Sequence, residues 1–240
     1  MFAKQFARYS SPARKRSHHH QSIIVMVKQI LVVDDQETVL GGTVGPLQQQ
    51  YPEAEILTAQ NARNAIDLAD RNQPDLVVMD LSMPQEHGGE ALSDVGLQLL
   101  RHLMTKYKQL NIVVHSIDPM PLVRLRPAID SHEGGFTVVS KSMSISEMLT
   151  RVDWAVQGLN YTPREIRTGV EVREEWLEVL HLAFNEALTD KAIADYMKVS
   201  ERTVRNYWSK MQDALAVYPE PGKNIRVQTG KRAREEGLID

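Results

Sequence analysis

The sequence predicts an α/β protein, in which a five-stranded, doubly wound parallel sheet is followed by an all-α domain. Five short apolar runs alternate with helix-length amphipathic stretches between residues 28 and 158. Continuous runs rich in β-branched residues are typical of parallel strands covered on both faces. After a polar segment that contains Pro163 and Gly169, the pattern becomes helical until residue 240. A chain of 240 residues is long enough to bury either one large core or two small ones.

The predicted strands come in regular order along the first part of the chain. They are residues 29–35, 55–59, 75–80, 111–116 and 136–141. The segment after Ser116 contains three prolines, which break helix interiors, so the fourth helix is predicted to be short or irregular. The fifth helix, over residues 144–158, has serines at its start and a glycine at its end.

Composition excludes several classes of protein. The chain has no cysteine, which rules out disulfide frameworks, thiolate zinc sites and cysteine nucleophiles and is consistent with a reducing cytoplasm. No apolar run approaches the roughly 18 residues that span a bilayer, so no membrane association is predicted. The net charge is −3, so a nucleic-acid-binding domain would depend on a local basic face.

Changes in composition divide the chain into four parts. The first is free of acidic residues and has little periodicity, which indicates a disordered basic arm, with an organellar transit peptide as the alternative. Its three consecutive histidines are interpreted as part of a solvated tail, and a metal site there is the alternative. The parts are the arm (1–26), the sheet domain (27–158), a linker (159–172) and the helical domain (173–240).

Chemically active side chains stand where four of the five strands end. The carboxyl ends of parallel strands meet at one edge of a sheet, so these side chains are expected to lie together. Clustered carboxylates repel one another, and Mg²⁺ relieves this by taking oxygen ligands. A lysine and a hydroxyl add the charge and hydrogen bonding that phosphoryl transfer needs. Solvated strand-end turns are the alternative. The residues are Asp34, Asp35, Asp80, Ser116 and Lys141.

These strand ends resemble the receiver domain of bacterial two-component response regulators, which has a flavodoxin-like fold. The resemblance rests on "ILVVDD", "VVMDLSMP", "IVVHS" and "VVSKS", in this order, and covers residues 27–158. It implies that Asp80 accepts a phosphoryl group from a sensor histidine kinase. It also implies that Ser116 and Lys141 contact that group. The implied Mg²⁺ ligands are Asp34, Asp35, Asp80 and the backbone carbonyl of Ser82.

The chain departs from the receiver pattern around its output elements. Ile117 stands where the family usually has a small residue, which predicts narrowed access to the phosphoryl group. Ser142 follows the lysine, where many receivers have a proline. Val138 occupies the usual position of the aromatic switch residue, and Phe136 is the nearest aromatic. The resemblance therefore implies the chemistry at Asp80 more firmly than the route by which the signal leaves it.

The helical domain contains a predicted helix-turn-helix. A first helix over residues 174–188 places Leu177, Leu180, Phe184 and Leu188 at helical spacing. Thr189 and Ser200 are then predicted to cap two further helices, joined by "MKVS". A helix fits the major groove, where arginine and asparagine read guanine and adenine. The alternative is a helical hairpin with a solvated basic face. The exposed residues predicted for the second helix are Arg202, Arg205, Asn206, Ser209 and Lys210, with Thr203 at its start.

This second half resembles NarL/LuxR-type regulators. "AVQGLNYTPREI" is similar to their linker, and "LTDKAIADYMKVSERTVRNYWSKM" is similar to their helix-turn-helix. Ala187 replaces a common glycine of that family. By position, the resemblance implies base contacts from Thr203, Arg205, Asn206 and Ser209, and phosphate contacts from Lys198, Arg202 and Lys210.

Together these features predict a phosphorylation-controlled transcriptional regulator that binds double-stranded DNA as a homodimer, with half-sites about 34 Å apart. An enzyme acting on an external substrate is not expected, because the pocket acts on its own Asp80. Two alternatives stay open. One is a phosphate-independent receiver used for dimerisation, and the other is a phospho-switched adaptor that binds a protein partner.

Two glycines after Asp80 compete for the start of the third helix. Counting forward from Asp80 places the glycine that usually starts this helix in receivers at Gly88. Counting back from the fourth strand by the usual helix length places it at Gly96. Both counts hold only if about eight residues are inserted, so the helix is predicted to begin near Gly96 after an extended loop. That loop is predicted to hold Glu86, Glu90 and Asp94 near the phosphorylation site and to tune kinase choice or phosphoryl lifetime. A solvated acidic loop is the alternative.

Overall fold

The computed structural model describes residues 26–168 and 173–240. The predicted basic arm and its three histidines, up to residue 25, lie outside the described residues. All six strands of the sheet run parallel, in the order β2-β1-β3-β4-β5-β6. The strands are β1 Gln29–Val33, β2 Glu55–Ala59, β3 Leu76–Met79, β4 Asn111–Ser116, β5 Phe136–Ser140 and β6 Asn160–Tyr161.

Helices cover both faces of the sheet because the central strands are apolar on both sides. In β1, Leu31 and Val33 pack into one core cluster, while Ile30 and Val32 pack into the other. This double burial is the doubly wound architecture that the continuous apolar runs predict. The helices of this domain are α1 Glu37–Gln50, α2 Ala62–Asn72, α3 Ser93–Lys106, α4 Arg126–Asp130, α5 Ile145–Val156 and α6 Arg164–Thr168.

The prediction of five strands is wrong by one. Residues 160–161, assigned to the linker, pair in parallel with β5, and the Asn160 side chain accepts a hydrogen bond of 2.9 Å from the Phe136 N–H. The Arg151 guanidinium packs 3.6 Å from the ring centre of Tyr161 and 4.3 Å from that of Trp154. Cation–π contacts thus hold a polar two-residue strand that has no apolar run to reveal it. Ile166 of α6, which lies within the predicted linker, is also buried in a core of the sheet domain.

The prolines after β4 have the predicted effect. A six-residue 3₁₀ helix, η1 (Met120–Leu125), leads directly into α4, which has only five residues. Pro121 lies at the start of η1 and Pro127 at the start of α4, where the missing N–H groups cost nothing. The prediction of a short, irregular fourth helix is confirmed.

The third helix begins at Ser93, so the prediction that it starts near Gly96 is confirmed. A Cβ on Gly96 would overlap the backbone carbonyl of Leu81, which explains why a glycine stands in this first turn. Gly88 instead makes a turn at φ +79° in the loop between β3 and α3.

The first part of the loop between β3 and α3, before the predicted insertion, is folded against α2. The N–H groups of Ala62 and Arg63 donate to the carbonyls of Pro84 and Gln85, and the Arg63 side chain pairs with Glu86 at 2.9 Å. These contacts satisfy donors that a helix start leaves unpaired. Of the three acidic residues predicted for the loop, Glu86 and Glu90 are exposed, and Glu86 pairs with an arginine. Asp94 lies instead in the first turn of α3, so its assignment to the loop is wrong. An influence of the loop on kinase choice or phosphoryl lifetime stays a prediction.

Among the described residues 173–240, four helices surround a third core cluster. The first of them ends at Phe184, four residues earlier than the predicted helix, because Ala187 adopts a left-handed conformation at φ +53°. Leu188 still packs against this core, with its N–H donating to the Leu182 carbonyl. The helices are α7 Glu174–Phe184, α8 Asp190–Met197, α9 Glu201–Ala214 and α10 Ile225–Glu235.

Candidate functional site

Three carboxylates converge at the carboxyl edge of the sheet. β1 lies next to β3, so Asp34 and Asp35 after β1 meet Asp80 after β3. One oxygen from each of the three carboxylates lies within 4.8 Å of the others. Asp34 and Asp80 are each only 4% exposed, so their charges are poorly screened by water. The predicted clustering of these side chains is therefore present in the fold.

Lys141 bridges two of these carboxylates from the end of β5. Its Nζ lies 2.6 Å from Oδ2 of Asp34 and 2.7 Å from Oδ2 of Asp80. Burial works against the charge of this ammonium, but its hydrogen bonds to the two aspartates prevail and raise the pKa of Lys141. Burial also raises the pKa of Asp34, and the Lys141 hydrogen bond only partly offsets that effect. A single ammonium thus leaves the cluster with excess negative charge.

The donor set of this cluster fits a hard divalent cation. Oδ1 of Asp35 is buried without a hydrogen-bond partner among the described residues. A buried, unpaired carboxylate oxygen is costly, and coordination of a cation removes that cost. Mg²⁺ prefers carboxylate oxygens and retains several waters, which matches three aspartates at a partly open edge. The Ser82 carbonyl stays a predicted ligand.

The neighbouring strand β4 supplies Ser116, which is buried at its carboxyl end and lies in register with Ser140 of β5. The preceding His115 is also buried. Burial, aided by the nearby Lys141 ammonium, lowers the pKa of His115 to about 4, so the imidazole is neutral at pH 7. Ile117, which follows Ser116, is 75% exposed and extends into solvent. Its exposure gives no support to the prediction of narrowed access.

Val138, at the usual position of the aromatic switch residue, and Phe136, the nearest aromatic, are both buried. Both belong to the core cluster that also contains Leu122 of η1. Phe136 is fully inaccessible at the start of β5, so its ring cannot alternate between exposed and buried positions without disrupting the core.

The helix-turn-helix has the predicted caps. The Thr189 hydroxyl accepts from the Ala192 N–H, and the Ser200 hydroxyl accepts from the Thr203 N–H. Between the two helices Lys198 adopts a left-handed conformation at φ +55°, which ends α8. Both predicted helix starts are confirmed.

The outer face of α9 carries the predicted reading residues. Val204, Trp208 and Met211 are buried at helical spacing, and the opposite face is open to solvent. Thr203 is half-buried, and its hydroxyl bonds that of Ser200 at 2.9 Å. Lys198 is exposed in the turn before the helix. The exposed residues of the α9 face are Arg202, Arg205, Asn206, Ser209 and Lys210.

A half-buried network, which the sequence patterns did not predict, ties three helices of this domain together. Asp190 of α8 receives a bidentate pair from Arg226 of α10, with distances of 2.9 and 2.6 Å. It also accepts from the indole N–H of Trp208 in α9, over which the Arg226 guanidinium stacks at 3.8 Å. The Arg226 hydrogen bond holds the pKa of Asp190 below its ordinary value. The partners are 18 and 36 residues apart, and no sequence spacing reveals such a pair.

Comparison with known proteins agrees with the geometry of the acidic cluster. The family model of the response regulator receiver domain matches residues 30–153, which is more than half of the chain. The chain belongs to the response regulator family. This response regulator therefore carries its aspartate cluster on the fold that the receiver resemblance predicts, and the flavodoxin-like α/β prediction is confirmed apart from the strand count.

Two curated relatives of this response regulator match over both domains. The transcriptional regulatory protein LnrK of Bacillus subtilis is 28% identical over 199 residues, covering 77% of this chain and 89% of LnrK. The transcriptional regulatory protein DesR of the same species is 24% identical over 213 residues, covering 85% and 95%.

A solved response regulator has the same two-domain fold. RcsB from Salmonella enterica serovar Typhimurium, bound to a promoter in the presence of the phosphomimetic BeF₃⁻, aligns with a TM-score of 0.52 at 19% identity. The alignment covers 85% of this chain and 97% of RcsB. Within the described part of this response regulator, no helix is both long and apolar enough to cross a bilayer.

Proposed function

We propose that this response regulator is a DNA-binding transcriptional regulator that acts in the cytoplasm and is controlled by phosphorylation of Asp80 by a sensor histidine kinase. The observation that carries the proposal is the buried cluster of Asp34, Asp35 and Asp80 bridged by Lys141. The match to curated transcriptional regulators along both domains supports the output function.

The proposed phosphoryl transfer uses a nucleophile and stabilising charges that lie in one pocket. A carboxylate oxygen of Asp80 attacks the phosphorus of a phosphohistidine, an O–P bond forms, and the P–N bond breaks as the histidine leaves and takes up a proton. The Lys141 ammonium and the Ser116 hydroxyl would then hydrogen-bond the phosphoryl oxygens. Asp34, Asp35, Asp80 and the Ser82 carbonyl would hold Mg²⁺, whose charge balances that of the phosphoryl group.

DNA is the proposed partner of the α9 face. Two arginines, a lysine and an asparagine project from one side of a helix that is held rigidly by its own core and by the Asp190–Arg226 pair. A dimer would place two such helices in successive major grooves about 34 Å apart. Lys198, Arg202 and Lys210 would neutralise phosphates, and Thr203, Arg205, Asn206 and Ser209 would face the bases.

Replacing Arg205 with alanine is expected to weaken DNA binding about tenfold or more, because a bidentate base contact is worth roughly 1–3 kcal/mol. The measurement is a gel-shift titration on duplexes that the wild-type protein selects from a random-sequence pool. Arg63→Ala is the matched control, since Arg63 is equally exposed and pairs with a glutamate in the receiver. Equal affinity of Arg205→Ala and Arg63→Ala would contradict the assignment of the reading face.

Two alternatives differ from this proposal in measurable ways. An adaptor that binds a protein partner would not bind the selected duplexes. A DNA-binding regulator would bind them with an affinity that falls steeply as the salt concentration rises. A phosphate-independent dimerisation module would bind DNA with the same affinity before and after the protein is treated with a phosphodonor.

A further inference from the structure

The 3₁₀ helix η1 lies at the junction of the two domains. It contacts α3, α4 and α6, and its Val123 is buried in the core cluster of the helical domain, together with Leu238 and Ile239. One side of η1 therefore belongs to the receiver, while the other side is part of the core of the output domain.

The two backbones come unusually close at this junction. Gly237, just after α10, has φ +71°, and a Cβ there would stand 2.8 Å from the backbone carbonyl oxygen of Met120 in η1. Only glycine allows both this conformation and this approach without displacing one chain. Gly222 in the same domain has a similar φ of +77°, but the space around it is open.

Arg124 of η1 is the polar centre of the junction. Its guanidinium is 10% exposed, with Nη1 2.5 Å from Asp94 in the first turn of α3 and Nη2 2.7 Å from Asp240. Its Nε donates to the Gly237 carbonyl at 2.7 Å. The rigid donor fork of arginine thus engages both domains at once, so their relative orientation is fixed by more than apolar packing.

This docking leaves the reading face of α9 uncovered. Arg202, Arg205 and Asn206 are exposed while Val123 and Arg124 hold the other side of the same domain. The junction therefore does not work by burying the residues that would read DNA.

We propose that η1 docks the helical domain on the receiver in one fixed orientation with its reading helix free, and that Arg124, held by Asp94 and Asp240, is the positioning residue of this docking. The role goes beyond the proposed function, and only its consequence for DNA rests on that function. In a dimer, fixed docking sets the spacing of the two reading helices. The loop between β3 and α3 acquires a role as well, because it leads into the first turn of α3, which carries Asp94. Since η1 begins four residues after Ser116, a change at the acidic cluster has a short path to the junction.

The absence of native cysteines allows a direct test on the full chain. Spin labels on Lys108→Cys and Tyr218→Cys, both at exposed positions in different domains, report the interdomain distance by pulsed electron resonance. The labelled wild type, diluted with unlabelled protein so that a dimer carries only one labelled chain, is expected to give one narrow distance peak. Arg124→Ala and Gly237→Ala are expected to lose that single peak and give a broad distribution, while Gly222→Ala keeps it.

Further measurements distinguish loss of the interdomain junction from unfolding of the protein. Asp94→Asn keeps the shape of the side chain but removes its charge, so its distribution is expected to broaden while its circular dichroism matches that of the wild type. A broad distribution in the wild type, or a narrow wild-type peak retained in Arg124→Ala and Asp94→Asn, would overturn the proposal.

A DNA-binding measurement tests whether the fixed docking sets the spacing of the two reading helices in a dimer. Arg124→Ala is expected to bind duplexes with two half-sites about tenfold more weakly, with no change on single half-sites, because only paired binding depends on fixed spacing. Unchanged binding to two half-sites despite a broadened distance peak would overturn the spacing role. If the wild type binds neither duplex, the DNA-binding proposal fails, while the distance measurements still decide the docking itself.

Discussion

Gly96→Ala is expected to destabilise the receiver by about 3 kcal/mol, at the upper end of the range for overpacked interiors. The added methyl group would overlap the backbone carbonyl of Leu81, next to Asp80, and a backbone atom cannot move aside as a flexible side chain can. The first turn of α3 would have to shift away from the strand end that carries the acidic cluster. Urea unfolding followed by circular dichroism measures the loss.

The control for this substitution is Gly41→Ala. Gly41 lies exposed in α1, and an added methyl group there would meet no neighbouring atom of the described residues within 4 Å. Alanine is favoured over glycine in helices by about 0.5–1 kcal/mol. Gly41→Ala is therefore expected to leave stability unchanged or raise it. A Gly96→Ala protein as stable as Gly41→Ala would show that α3 does not pack against Leu81 as described.

Lys141→Met is expected to cost about 3 kcal/mol at neutral pH, because it leaves buried carboxylates without their counter-charge. The pKa of Lys141 is raised above its ordinary 10.5, so its ion pairs contribute fully at neutral pH and are lost only as the pH rises through that raised value. In the variant, acid protonates the aspartates and removes their repulsion. The loss of stability relative to the wild type is therefore expected to shrink as the pH falls. Thermal unfolding at several pH values measures it.

The matched control is Lys106→Met. Lys106 pairs with Asp70 at 2.6 Å, but the two side chains are 45% and 40% exposed, so water screens the pair and little change is expected. Adding Mg²⁺ is expected to narrow the stability difference between Lys141→Met and the wild type, whereas Lys106→Met, whose acidic cluster is intact, gains as much stability as the wild type. Equal losses in the two variants would contradict the assignment of Lys141 as the counter-ion of the acidic cluster.

The parts of the fold that follow a short-range pattern were predictable from the sequence. The central strands are continuous apolar runs, and their order along the chain places Asp34, Asp80 and Lys141 at one edge. The caps Thr189 and Ser200 each accept from the N–H three residues later, which is a local signal. The start of α3 near Gly96 was recoverable from two counts that disagreed by the length of an insertion.

The missed features depend on contacts between distant residues. β6 is only Asn160–Tyr161 and is held by Arg151, and its strand character comes from neighbours rather than from its own composition. The pairing of Arg124 with Asp240 spans 116 residues and joins two domains. No periodicity marks such a pair, because an arginine with the same local sequence is equally compatible with a solvated position.

The most direct test of the central claim is phosphorylation of Asp80. The 240-residue chain is incubated with acetyl phosphate and Mg²⁺, and phosphoryl incorporation is measured by intact mass spectrometry. Asp80→Ala is the test variant, and Asp67→Ala, at an exposed position on α2, is the control. The proposed function predicts one Mg²⁺-dependent phosphoryl group on the wild type and on Asp67→Ala, and none on Asp80→Ala. Labelling that persists in Asp80→Ala, or a folded wild type that is never labelled, would contradict it.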